Sequence, residues 1–277
     1  SSDVCSSDLL GLENSKGVDT PGVHESKEDD EQLQEPLPSD QVTLYRGCAA
    51  RCNFLSLDRP DTQFASKEIS RGMARPTQGD LLRLKRLARY LNKYPRAAFI
   101  YKWQSPVTKL YGFSDTNWAG CIRTRKSTQG GLLMAGQHCV KSWSTTQAFI
   151  SLSSGESEYY GVVKTISILM GMKAMMSDMG VSVEIECFTD ATAAQGIASR
   201  RGLSSRTRHI QVHYLWVQEQ VVSGRVKLSK VYGNDNPADL LTKYLSKDKI
   251  VQYMRLCHLH YLKGRAASAP ILGNIFR

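Results

Sequence analysis

The spacing of apolar residues changes period along this chain. Over residues 78 to 93, Leu81, Leu82, Leu84, Leu87, Ala88 and Leu91 recur every three or four positions with basic residues between them, after a Pro-Thr-Gln-Gly break. That spacing predicts an amphipathic helix with a basic outer face, a surface on which phosphate contacts are an option beside simple solvation. From residue 98 the period falls to two. AAFIYKWQ, TKLYGFSDTNW, GGLLMAG and HCVKSWSTT predict short strands, the last two joined through Gly136 and Gln137. Helical spacing returns from 153 to 179, where Tyr159, Val162, Val163, Ile166, Leu169 and Met170 define a buried face. VEIECFTD (183 to 190) then predicts a strand and ATAAQGIASR a short helix. RHIQVHYLWVQEQVVSG predicts a helix closed by Gly224, RVKLSKVYG a strand, and NPADLLTKYLSKDKIVQYMRLC one final helix. An antiparallel meander that feeds α/β crossovers makes an α/β fold, a mixed sheet with helices on both faces.

Composition adds a polarity along the chain. With 277 residues, 41% of them apolar, there is material for a substantial core. The net charge of +10 is unevenly spread: residues 1 to 40 hold 11 acids against Lys16 and Lys27, a net of −9, which leaves +19 on the other 237 residues. A basic body of that size points to a polyanion such as nucleic acid, or else serves only solubility. The acidic stretch to residue 40 is rich in Pro, Gly, Ser and Gln and is expected to be disordered. Its opening, SSDVCSSDL, matches the translation of a common sequencing adapter, so residues 1 to 9 are set aside as an artefact. Seven scattered cysteines argue against a disulfide framework and for a reducing, cytoplasmic setting. Cys48 and Cys52 with Cys257, His258 and His260 have loose spacing for zinc and are read as ordinary thiols and imidazoles. No apolar run is long enough for a membrane span, and no membrane partner is expected.

Four acids stand out by position. Asp115 lies inside a strand, where Asp is disfavoured. Asp190 ends an otherwise apolar strand, at the sheet edge where α/β proteins collect ligands. In SSGESEYY, Ser153 and Glu156 have the spacing of a capping box, which gives Glu156 a structural task and leaves Glu158 over. In NDNPADLL, Asn236 is a good N-cap and Pro237 a good first helical residue, so Asp239 falls in the first turn, where an acid is often only structural. If these four converge at one end of the sheet, their mutual repulsion calls for cations. Two divalent metals would balance four carboxylates, an arrangement suited to phosphodiester hydrolysis.

With these residues in view, the chain resembles the ribonuclease H domain of copia-type retrotransposon polyproteins. The likeness runs from about 109 to 246 through YGFSDTNWAG, RTRKSTQGGLL, KSWSTTQAFISLSSGESEYYG, CFTDATAAQGIAS, SSRTRHIQVHYLWVQEQV and NPADLLTKYL. It implies a ribonuclease H-like fold with a five-stranded mixed sheet whose first three strands are antiparallel. It also implies endonucleolytic hydrolysis of the RNA strand of RNA–DNA hybrids with two Mg2+ or Mn2+ ions, the metal-binding and catalytic acids falling on Asp115, Glu158, Asp190 and Asp239. Candidate nucleic-acid contacts are Ser114 and Asn117 beside the first acid, the run Arg125, Lys126, Ser127, and the run around Arg206 and Arg208. The chain departs from the family at Asn117 and Ala191, where an acid and an Asn are common, and VYGNDNPAD lacks the His that many cellular ribonucleases H carry there. Trp118, Trp143 and Trp216 are read as core.

The stretch from 41 to 104 looks like the tail of the reverse transcriptase that precedes this domain, without a Tyr-x-Asp-Asp polymerase motif. The expected organisation is therefore 1–40 disordered, 41–104 reverse-transcriptase remnant, 105–260 ribonuclease H domain and 261–277 tail. The remainder of the polyprotein is an implied partner, and retrotransposon particles, with access to the nucleus, an implied setting. The rival readings are a catalytically silent relic that binds hybrid without cleaving it, and a structural scaffold.

Overall fold

The structure is a computed structural model that describes residues 10–12, 14–24, 31–205 and 207–264. In chain order its helices are α1 (Glu31–Gln34), α2 (Ser39–Leu55), α3 (Pro60–Arg71), α4 (Gln78–Lys93), α5 (Ser154–Asp178), α6 (Thr192–Ala198), α7 (Trp216–Val222) and α8 (Lys247–Leu256). Its strands are β1 (Ala97–Phe99), β2 (Lys109–Asn117), β3 (Thr128–Ala135), β4 (His138–Thr146), β5 (Glu184–Thr189), β6 (Lys227–Lys230) and β7 (Leu259–Tyr261). The chain divides into two compact units. One holds residues 1–98, 244–250 and 259–277, the other 99–243 and 251–258.

The first unit is helical. Tyr45, Cys48, Ala49 and Cys52 of α2, Ala65 and Ile69 of α3, and Leu84, Leu87, Tyr90 and Leu91 of α4 form its core. The start of α4 is set by a capping box: Thr77 accepts from the Asp80 amide at 3.3 Å and Asp80 accepts from the Thr77 amide at 3.0 Å. The acidic segment expected to be disordered is tied down here where it is described. Asp19 accepts from the Tyr94 hydroxyl at 2.6 Å and pairs with Lys93 at 2.9 Å, Arg86 donates to Thr20 at 2.8 Å, and Arg89 donates to the Lys16 carbonyl at 2.8 Å. Leu37 is buried in the core. Composition misses this because the anchors come from the basic face of α4, which thereby spends two of its arginines within the molecule. Residues 1–9 lie outside the described residues.

The second unit is built on one sheet of order β4-β3-β2-β5-β6. β2, β3 and β4 form an antiparallel meander, and β5 and β6 add in parallel. The α/β architecture with a five-stranded mixed sheet is the expected one. Alternation along β2 sends Leu110, Gly112, Ser114 and Thr116 toward α5, and Tyr111, Phe113 and Asp115 to the other face. On the α5 side, Tyr159, Val162, Val163, Ile166 and Leu169 pack against Leu110, Leu133, Ile185 and Cys187. On the other face Phe113 stacks on Phe188, with ring centroids 5.0 Å apart.

Two glycines let the chain close on Asp115 from both sides. A Cβ on Gly161 of α5 would stand 2.7 Å from Thr116 Cγ2 and 2.9 Å from Ser114 Oγ. A Cβ on Gly130, the β3 partner of Asp115, would stand 2.6 Å from Leu241 Cβ and 2.8 Å from Thr242 Cγ2. Contacts that short are excluded for any side chain, so glycine is what allows the helix and the 237–242 segment to approach the strand.

The final segment differs from expectation. A single helix from 236 is replaced by a 3-10 turn, Pro237–Leu241, a break, and then α8. The turn is held by Asn236, whose side chain accepts from the Ala238 amide at 3.2 Å and donates to the Ser114 carbonyl at 3.0 Å. That long-range bond docks the turn on β2, a tertiary contact that outweighs helical periodicity. The predicted helix over 208–224 is likewise divided into a 3-10 turn at Val212–Tyr214 and α7, and it is closed by Gly224 at a φ of 74°.

Candidate metal centre

Each acid reaches the centre from a different element. Asp115 is in the last third of β2, Glu158 in the second turn of α5, Asp190 directly after β5, and Asp239 in the 3-10 turn. One carboxylate oxygen from each of Asp115, Glu158 and Asp190 lies within 4.8 Å of the others. Asp239 stands outside that triad, in an open cleft that it lines together with Asp190, Tyr232, Gly233, Asn234 and Lys243.

The helix start that carries Glu158 also shows why Glu156 does not join the cluster. Ser153 accepts from the Glu156 amide at 3.2 Å, and Glu156 turns back to accept from the Leu152 amide at 2.8 Å. Its carboxylate also accepts from Tyr160 at 2.8 Å and pairs with His209 at 2.9 Å. Glu156 is fully engaged in structure. The return bond goes to residue 152 rather than to the N-cap amide, a one-residue variation on the expected box.

Burial and like charge dominate the electrostatics. Burial is the main cause that pushes the Asp115 carboxyl up to about 7, followed by the nearby charge of Asp239; Lys243 and a hydrogen bond from Thr242 oppose it. Burial, then the charges of Asp115 and Asp190, push Glu158 up to about 9. Asp190 is raised by burial and by Asp239. Oε2 of Glu158 is buried without a hydrogen-bond partner. Three converging carboxylates, one with an orphaned oxygen, could hold a hard divalent cation, and their chemistry fits such an ion. Among the described residues, this is the sole such cluster of His, Cys, Asp or Glu side chains.

The other candidates separate. Ser114 is fully buried beneath α5 on the face opposite Asp115, so it does not meet a ligand. Ser127 is also fully buried and accepts from the Ala119 amide at 3.1 Å, which makes it a brace for the β2–β3 connection. Asn117 is half-buried, Lys126 half-buried and Arg125 exposed, at a positive φ of 54°. Arg208 is exposed and donates to the Ser205 carbonyl at 3.1 Å, while Arg206 lies outside the described residues. Trp143 is buried, but Trp118 is 47% exposed, with its indole N–H on the Ser151 carbonyl at 3.0 Å, and so is not core. Cys48 and Cys52 are buried in the first unit, and Cys139 and Cys257 are buried as free thiols in the second.

Sequence reasoning missed three residues around the acids. The Thr242 hydroxyl donates to Asp115 Oδ2, the Lys243 ammonium sits 2.8 Å from Asp239 Oδ1, and the Tyr253 hydroxyl donates to Asp239 Oδ2 at 3.2 Å. The i+4 spacing of Asp239 and Lys243 was a visible signal of their pairing.

The strand order, the antiparallel meander followed by parallel strands, and acids gathered at the carboxyl end of β5 define the second unit as an α/β domain of the ribonuclease H fold. No family profile matches the chain. Among curated relatives, the retrovirus-related Pol polyprotein from transposon RE1 of Arabidopsis thaliana is 31% identical over 207 residues, covering 74% of this chain and 14% of that protein. That from transposon TNT 1-94 of Nicotiana tabacum is 29% identical over 203 residues, covering 73% and 15%. The chain therefore belongs to the Pol polyproteins of copia-type retrotransposons, and it spans about a seventh of the length of these relatives. Among solved structures, the N-terminal RNase H domain of rv2228c from Mycobacterium tuberculosis matches 53% of this chain and 97% of its own at 15% identity and a TM-score of 0.34. LC11-RNase H1, solved in complex with an RNA/DNA hybrid, matches 48% and 93% at 13% identity and a TM-score of 0.36.

Proposed function

We propose that the second unit hydrolyses the RNA strand of RNA–DNA hybrids, with Asp115, Glu158, Asp190 and Asp239 holding two Mg2+ or Mn2+ ions. The observation that carries this reading is the convergence of three carboxylates within 4.8 Å, that of Asp115 buried and those of Glu158 and Asp190 half-buried, with one oxygen of Glu158 orphaned. Groups arranged to repel one another persist in a fold when a ligand relieves the repulsion. Bound divalent cations supply an activated water and a stabilised leaving oxygen for phosphodiester hydrolysis.

The chain's own residues do the remainder. Thr242 fixes the rotamer of Asp115 through its hydroxyl, and Tyr253 holds one oxygen of Asp239. Asn117, at the end of the strand that carries Asp115, reads the 2′-hydroxyl that separates RNA from DNA in this proposal. Arg125 and Lys126 on one loop and Arg208 on another supply cations for the hybrid's phosphates, as does Arg206, two positions before Arg208 in the sequence.

Labelled hybrid incubated with the whole chain in Mg2+, Mn2+ or chelator tests this, beside an Asp115→Asn control. The expected result is metal-dependent cutting of the RNA strand alone, lowered at least about a thousandfold in the control. Binding of hybrid without cleavage by a folded protein would instead establish the silent relic.

A further inference from the structure

We propose that Lys243 is the built-in counter-cation of this centre, seated on Asp239 in the metal-free protein and displaced from it when a divalent ion takes that carboxylate. The inference rests on the metal-binding reading above and adds a residue that the acids alone do not specify.

The geometry is specific. Lys243 Nζ is 2.8 Å from Asp239 Oδ1, and the side chain lines the same cleft as Asp190 and Asp239. Tyr253 donates to the other oxygen of Asp239 at 3.2 Å, so both carboxylate oxygens are engaged. Burial works against the Lys243 charge, and Asp115, Asp239 and Asp190 together outweigh it and raise the group above the ordinary lysine value. The other nearby ammonium, Lys230, lies on the Thr192 hydroxyl at 3.0 Å and is exposed. Lys243 therefore stands in the field of three of the four acids, where a second divalent ion would experience the same attraction.

Two outcomes are chemically distinct. A lysine that merely oriented Asp239 as an outer partner would support metal binding, and its loss would weaken the metal. A lysine that fills the place of a cation opposes metal binding by like charge and by occupying the oxygen, and its loss would tighten the metal. The second follows from the position of Lys243 among three acids rather than behind one.

The test is Mn2+ binding to the whole chain alone, without nucleic acid, followed by the paramagnetic resonance of free Mn2+. Lys243→Gln is expected to tighten the weaker Mn2+ site at least about fivefold. In an Asp239→Asn background the same change is expected to do less than in wild type, because the carboxylate that Lys243 occupies is gone and only its like charge among Asp115 and Asp190 remains. Lys243→Arg keeps the charge and with it the fold, and it is expected to bind Mn2+ no more tightly than wild type. Unchanged or weaker binding in Lys243→Gln overturns the proposal, as does tighter binding in Lys243→Arg. Wild-type protein that binds no Mn2+ removes this inference together with the function it rests on. Wild-type protein that binds Mn2+ with the expected variant pattern but does not cut hybrid leaves Lys243 in its role and removes only the nuclease reading.

Discussion

Asp61 in the first unit and Asp115 in the second are buried alike, at 3% and 4% exposed, yet their surroundings are opposite. Asp61 receives two bonds from the Arg59 guanidinium, at 3.0 and 2.8 Å, and a third from the Tyr90 hydroxyl at 2.7 Å. Its charge is answered within the fold. Asp115 receives one neutral hydroxyl, from Thr242, and shares its site with Glu158 and Asp190. Its charge is met by other negative charges, with Lys243 opposing them only in part. A buried carboxylate with a matched guanidinium is part of the architecture; buried carboxylates that face one another are a demand for a ligand.

The strongest way to break this comparison is to neutralise each acid in turn. Asp61→Asn removes the carboxylate that answers the buried Arg59 charge and is expected to destabilise the protein by about 3 to 5 kcal/mol. Asp115→Asn removes repulsion and is expected to leave stability in chelator within about 1 kcal/mol of wild type, or to raise it. Denaturant unfolding of both variants reads this out, and a large loss in Asp115→Asn would show that the two acids are not opposites.

A smaller, graded effect concerns pH. Asp115 titrates near 7 and Glu158 near 9 in the fold, both above the ordinary carboxylate range. Between the unfolded and folded values the native state carries more protons than the unfolded one, so stability falls as pH rises. The contribution is fully lost only above the folded values. Metal-free protein is therefore expected to melt at progressively lower temperature from about pH 5 to pH 9, and the slope should flatten in a protein with Asp115→Asn and Glu158→Gln together. A melting temperature that rises over that window would contradict the charge picture.

The smallest expected effect tests how the second unit brings its acids together. Glycine to alanine inside a helix ordinarily gains about 0.5 to 1 kcal/mol. At Gly161 the added methyl would stand 2.7 Å from Thr116 Cγ2, and Thr116 is β-branched and held between β2 and α5. Overpacking of this kind costs about 1 to 3 kcal/mol, so it outweighs the helical gain. Gly161→Ala is expected to be net destabilising by about 1 kcal/mol, the difference between those figures, and to slow hybrid cleavage by moving Glu158 away from Asp115. Unfolding curves and cleavage rates measured together check both halves.

What this chain's sequence determined by itself is whatever depends on near neighbours. The period of two from Lys109 to Thr146, the long helical face from Tyr159 to Leu169, and the bounds of α4 follow from local alternation and spacing. So does the division of labour at the start of α5, where Ser153 and Glu156 are three residues apart. Tertiary structure decided what depends on distant partners. Only the docking of the Pro237–Leu241 turn on β2, 122 residues away at the Asn236–Ser114 bond, ends the last predicted helix early and delivers Thr242 to Asp115. Only the packing of α5 on β2 hides Ser114, and only the bonds from α4 and Tyr94 to Lys16, Asp19 and Thr20 tie down the described part of an acidic segment whose composition argues for disorder. Periodicity records which face of an element is apolar, whereas the partner that covers that face is chosen by the whole fold.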